Sequence, residues 1–205
     1  MASDFERRLK DVLDAHDPSR ITVPGARAAA VLIPMIAGDD PEMIFTVRTD
    51  TVRSHKGQIS FPGGSIDPGD ASSADAALRE THEEIGLAPD KVRLLGEMDS
   101  FPTFVSGYVV TPFVGWLDEE PELTPNPAEV AEILKVPVSS LTDEIRSDPG
   151  FQLGDRTYPT EAWIWNDHVI WGVTAYIIRS FLTKLSQAGL APAPGDSPWL
   201  LPSTP

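Results

Sequence analysis

Apolar residues recur at helical intervals near the start of the chain, at Phe5, Leu9, Val12 and Leu13. Ser3 and Glu6 precede them at capping-box spacing, which predicts a helix over residues 4–15. Residues 28–36 then form an apolar run interrupted only by Pro34, and residues 43–48 form a second, shorter one. Both predict strands of a mixed sheet. Residues 49–71, rich in Gly, Pro, Ser and Asp, predict a long ordered loop, a feature that in a compact domain usually serves function. Ser72 and Asp75 open a helix that stops at Gly86. Further strands are predicted at 92–98, 108–117 and 161–165, with a polar, proline-rich loop at 118–128 and a short helix near 129–134. A final helix over 167–185 places Ile170, Val173, Ile177, Phe181 and Leu185 on one side. The remainder, QAGLAPAPGDSPWLLPSTP, reads as a tail without fixed structure, Trp199 included.

Composition narrows the possible chemistry. A chain of 205 residues fits one domain with peripheral additions. With no cysteine there is no disulfide, thiolate metal site or cysteine nucleophile. A net charge of −15 argues against a broad basic surface for nucleic acid. The N-terminal segment lacks the apolar core of an export signal, and no apolar stretch approaches the roughly 20 residues of a membrane span. The expectation is a cytoplasmic protein with neither nucleic acid nor membrane as partner; a homodimer stays open.

The helix over 72–86 carries the chemistry. At about 100° per residue, Ala74, Leu78, Thr81 and Ile85 gather on one side and Glu80, Glu83 and Glu84 on the other. Glu80 and Glu84 lie one turn apart, close enough to share a divalent ion, and oxygen ligands without cysteine favour Mg²⁺ or Mn²⁺. Arg79 precedes Glu83 by four residues and can hold its carboxylate. A Glu-rich helix face is commonly just solvated, and an exposed Arg–Glu pair is worth little. The glycines Gly63, Gly64 and Gly86 shift the balance, because they frame the acids between a tight loop and a stop.

These residues resemble the Nudix hydrolase box, G-x5-E-x7-R-E-U-x-E-E-x-G-U with U aliphatic, through Gly64, Arg79, Glu80, Glu83, Glu84, Gly86 and Leu87. Asp70 stands where the pattern has Glu, one extra residue precedes Arg79, and Thr81 occupies an aliphatic position. The resemblance implies an α/β/α sandwich around a mixed sheet, spanning residues 24–186 between an N-terminal helix and connection at 1–23 and the tail at 187–205. It also implies Glu80, Glu83 and Glu84 as metal ligands and Arg79, Glu83 and Glu84 as catalytic residues.

Upstream, Ile44-Phe45-Thr46-Val47-Arg48-Thr49, Arg53, Gly57 and Phe61-Pro62-Gly63-Gly64 look like the signature of the family's coenzyme A diphosphatase branch, LLTxxS/A-x3-R-x3-G-x3-FPGG. In so acidic a chain, Arg48, Arg53, His55 and Lys56 form a dense basic group suited to phosphates, and Gly63 and Gly64 allow close backbone approach. The resemblance implies that metal-bound water cuts coenzyme A or acyl-CoA to 3′,5′-ADP and 4′-phosphopantetheine or its acyl form. The proton acceptor stays open among Glu83, Glu84, Glu129 and Glu132. Two other readings stay open: another nucleoside diphosphate derivative as substrate (ADP-ribose, NADH or a dinucleoside polyphosphate), and a non-catalytic nucleotide-binding module.

Overall fold

The computed structural model describes residues 3–49, 57–103, 106–142, 146–147, 151–153, 156–158 and 161–195. Helix α1 spans Asp4–Asp14 and is capped as its sequence requires, the Ser3 hydroxyl accepting the Glu6 N–H at 3.1 Å. Strands β1 (Arg27–Ile36) and β2 (Glu42–Arg48) follow, then two short strands, β3 (Ile59–Ser60) and β4 (Gly63–Ser65). These last two correct the loop expected over 49–71, where the glycines and prolines concealed brief edge pairing. Helix α2 spans Ser73–Ile85; Ser72 caps it, and Gly86 ends it at φ 73°. Strands β5 (Arg93–Glu97), β6 (Phe101–Pro102) and β7 (Tyr108–Leu117) continue the chain.

The short helix expected near 129–134 is instead strand β8, Val130–Pro137. The run Glu129-Val130-Ala131-Glu132-Ile133-Leu134 suits either period. The backbone groups of β2 decide it, because β8 pairs antiparallel with β2 from Glu42↔Pro137 to Arg48↔Val130. Beyond the two-residue β9 (Arg146–Ser147), β10 (Phe151–Leu153) and β11 (Arg156–Tyr158) pair with each other. The expected helix at 167–185 begins late. Strand β12 (Ala162–Trp165) turns at Asn166, whose φ is 53°, into β13 (His168–Trp171), and only after Gly172 at φ 68° does α3 run from Val173 to Gln187. A β-branched and aromatic stretch, His-Val-Ile-Trp, prefers the hairpin to a first helical turn.

Eight strands form the main sheet in the order β3-β2-β1-β7-β5, with β4 beside β1, β6 beside β7 and β8 beside β2. It is mixed: β1 and β7 run parallel over ten residue pairs, and the other pairs are antiparallel. Alternation along β1 sends Ala30, Leu32 and Ile36 to the α2 face, against Ala76, Ala77 and Ile85. It sends Ala29, Ile33 and Met35 to the opposite face, where α1, α3 and Trp163 close the core. The architecture is the α/β/α sandwich expected.

The inward stripe of α2 differs from the one predicted. Ala76, Ala77, Thr81, Glu84 and Ile85 are buried, so the helix is rolled to carry Glu84 inward with the apolar residues. The first part of the tail is also held: Arg8 donates to the carbonyls of Ala188 and Gly189, and Arg179 donates to that of Gly195. Trp199 lies outside the described residues. Among the described residues, no helix is long and apolar enough to cross a membrane.

Candidate active site

Two glycines make the floor of the site. Strand β4 lies against β1 with Gly63 opposite Val31 and Gly64 opposite Ala30. Gly63 takes φ 144°, and a Cβ there would come within 2.3 Å of the Ala30 carbonyl oxygen. At Gly64 a Cβ would lie 2.5 Å from Oε2 of Glu80, so the missing side chain is the space that the carboxylate uses. Gly64→Ala is expected to displace Glu80 and cut activity while the sheet stays paired; initial rates alongside circular dichroism check both halves.

Arg79 links the loop to the helix. Its Nε donates to Asp70 Oδ1 at 2.8 Å and Nη2 to Oδ2 at 3.1 Å, a paired grip, while Nη2 also reaches the Ser65 carbonyl at 3.2 Å. Nη1 donates to Glu80 at 2.9 Å and to both Glu83 oxygens at 3.4 Å. The pairing expected with Glu83 is present, but Asp70 is the stronger partner. Hydrogen bonds from Arg79, then from the Asp67 backbone, hold the Asp70 carboxyl below its usual range. The extra residue ahead of Arg79 thus leaves Asp70 able to pin the guanidinium, a pairing across nine positions that helical spacing did not reveal.

The three acids have different surroundings. Glu83 has a side chain 58% exposed, Glu80 is half-buried, and the Glu84 side chain is 4% exposed. Glu84 Oε2 accepts the Gly63 N–H at 3.2 Å, and Oε1 lies 3.7 Å from Arg48 Nη1. Burial pushes the Glu84 carboxyl up to about 7; the Gly63 N–H and Arg48 oppose the rise, while Glu129 and Glu80 add to it. Burial likewise raises Glu80. Because the folded-state value of Glu84 exceeds the ordinary one, the proton contributes stability that is full below about pH 4.5 and lost as pH rises through about 7. Urea titrations with chelator at pH 4.5 and 8 are expected to show wild type losing up to about 3 kcal/mol more than Glu84→Gln across this window.

Of the predicted phosphate-binding residues, Arg48 borders Glu84, whereas Arg53, His55 and Lys56 lie outside the described residues. The two outer candidates for proton acceptor separate. Glu132 points to the α3 face, 3.9 Å from His168, with 54% of its side chain exposed. Glu129, in the turn before β8, acts electrostatically on both Glu80 and Glu84. A helix would have put both glutamates on one face, and the strand parts them.

A NUDIX domain model matches residues 26–153, which include every element of this site. The chain is 39% identical over 185 residues to a Nudix hydrolase NudL of Photorhabdus laumondii, covering 89% of this chain and 97% of that protein. The chain belongs to the Nudix family. A second relative, Nudix hydrolase NudL of Enterobacter sp., is 36% identical over 161 residues, covering 78% of this chain and 83% of its own length. Among solved structures, a MutT/nudix family protein from Enterococcus faecalis superposes with a TM-score of 0.53 at 14% identity, covering 91% of this chain and 76% of that one, which supports the fold. The protein is a Nudix-type hydrolase, and members of this family generally use divalent metal ions.

The site fits such an ion in its donor chemistry. Among the described residues no three acidic or histidine side chains already stand as a closed cage. Yet the donors are carboxylate oxygens, and among the described residues the buried Glu84 carboxylate is met by one N–H and a guanidinium 3.7 Å away.

Proposed function

We propose that this Nudix hydrolase cleaves the diphosphate of coenzyme A or an acyl-CoA, giving 3′,5′-ADP and 4′-phosphopantetheine or its acyl form, with Mg²⁺ or Mn²⁺ as the ion and the cytoplasm as its setting. The observation that supports the substrate is the position of Arg48. Arg48, at a variable position of the Ile44-to-Gly64 signature, stands 3.7 Å from Glu84, which also accepts the Gly63 N–H. One segment thereby brings a phosphate-binding guanidinium and a backbone N–H to the acids of α2.

In this reading Glu80, Glu83 and Glu84 would hold the cation. Held there, such an ion would neutralise the diphosphate and acidify water beside it. Arg79, fixed by Asp70 and Ser65, keeps Glu80 and Glu83 from swinging away. Arg48, with Arg53, His55 and Lys56, receives the phosphates of the substrate, and Gly63 and Gly64 let them approach the backbone. Glu84 or Glu83 accepts the proton.

Chromatography of products from coenzyme A, acyl-CoA, ADP-ribose, NADH and diadenosine polyphosphates, each with Mg²⁺ or Mn²⁺, tests the proposal. Coenzyme A or its acyl form is expected to turn over fastest. Faster cleavage of ADP-ribose, NADH or a dinucleoside polyphosphate moves the protein to another substrate, and absence of metal-dependent turnover with all of them rejects catalysis.

A further inference from the structure

We infer that Arg27, at the start of β1, is a specificity residue that binds the 3′-phosphate of the substrate, with Tyr108 as the platform that positions it. The inference rests on the coenzyme A reading above and adds a residue from outside both the acidic helix and the Ile44-to-Gly64 segment.

Arg27 stands out by its surroundings. The chain carries a net charge of −15, and every other arginine whose side chain is described is ion-paired with a carboxylate. Among the described residues Arg27 has no such partner. Its exposed guanidinium lies instead over the ring of Tyr108, 4.3 Å from the centroid, and the two residues are register partners across the parallel strands β1 and β7. The ring takes one face of the guanidinium and holds it in place. The N–H donors at its edge point outward in the plane, the geometry that grips two phosphate oxygens.

The platform itself is fixed on all sides. Arg27 N–H donates to the Gly107 carbonyl at 2.9 Å. Tyr108 N–H donates to Thr103 Oγ1 at 2.8 Å, and the Tyr108 carbonyl accepts the Thr103 N–H at 2.8 Å. The phenol shares a hydrogen bond with the Ser65 hydroxyl at 3.3 Å. Ser65 in turn accepts Arg79 Nη2 at its carbonyl, and Arg79 holds Glu80. One residue of β4 therefore borders both the platform and the acids.

The reach suits coenzyme A. Gly64, against which Glu80 lies, is opposite Ala30 of β1, three residues beyond Arg27, or about 10 Å along the strand before the length of the arginine side chain is counted. The 3′-phosphate and the diphosphate of coenzyme A hang on the same ribose, so a diphosphate beside Glu80 leaves the second phosphate one sugar away. ADP-ribose, NADH and dinucleoside polyphosphates offer no phosphomonoester at that position. Arg27 is thus placed to favour coenzyme A over each of them.

The test is kcat/KM for coenzyme A and for 3′-dephospho-coenzyme A, with Mg²⁺, on wild type, Arg27→Gln, Arg27→Lys, Tyr108→Leu and Arg20→Gln. Wild type is expected to prefer coenzyme A about 10-fold or more. Arg27→Gln is expected to bring that ratio close to one, chiefly through a higher KM for coenzyme A, because the phosphate lies away from the bond that breaks. Arg27→Lys should keep part of the preference and Tyr108→Leu should lose part of it. Arg20→Gln, which removes an equal charge from the exposed pair with Glu97, should keep it all. A wild type that cleaves both compounds equally, or an Arg27→Gln variant with the wild-type ratio, overturns this inference and leaves the coenzyme A reading standing. Loss of both substrates alike in Arg27→Gln makes Arg27 a structural residue, and the inference is wrong. Slower cleavage of coenzyme A than of ADP-ribose or NADH by wild type overturns the reading beneath it.

Discussion

Glu84→Gln is expected to lower kcat/KM by about two to four orders of magnitude while leaving a folded protein. The loss follows from charge: glutamine fills the same space and still accepts the Gly63 N–H, but it supplies neither a negative ligand nor a proton acceptor. The fold survives because the wild-type carboxylate is itself awkward where it sits, 3% exposed and driven by burial toward its neutral form. In chelator at pH 8 the variant should even be the more stable of the two. Adding Mg²⁺ or Mn²⁺ should then stabilise wild type and leave the variant little changed. Initial rates with the preferred substrate, and melting curves with and without the ion, measure both effects. Full activity in Glu84→Gln would show that the chemistry lies elsewhere.

Arg179→Met is expected to cost about 3–5 kcal/mol in unfolding free energy without touching the site. Arg179 on α3 donates through Nε to both oxygens of Glu161 at 3.0 and 2.7 Å, and Nη2 also donates to Oε1. Glu161 has no exposed surface, so deleting the guanidinium takes a charged partner from a buried carboxylate. Exchanging both partners together, Arg179→Met with Glu161→Leu, should recover most of the loss, since it removes the charge along with its counter-ion. Urea denaturation of the two single variants and the pair gives the coupling. A loss below about 1 kcal/mol for Arg179→Met would place this pair with ordinary surface contacts.

How legible the chain was depended on the range of the forces involved. Helices α1 and α2 announced themselves through Ser3 and Ser72, because caps act over three residues, and β1 and β7 through long apolar runs buried on both faces. The acids and Arg79 were legible because their spacing is local. Strand β8 was not, since its conformation is settled by hydrogen bonds to β2, more than 80 residues earlier in the chain. The burial of Glu84 was missed for a related reason: helical phase gives relative angles, and the roll of α2 on the sheet is set by the packing of Ala76 and Ala77. The grip of Arg79 on Asp70 is likewise tertiary.

Arg8, in the first helix, donates to the carbonyls of residues 188 and 189, which follow α3. The partners in the first of these bonds are 180 residues apart. During synthesis α1 therefore emerges long before its berth is complete: Leu13 can settle on Gly96 of β5, but the α3 half does not yet exist. Until α3 clears the ribosome, Leu9 and Leu13 have only part of the apolar cover they reach in the finished core. The synthesis of α3, rather than the pairing of the sheet, is the event that seals this side of the molecule.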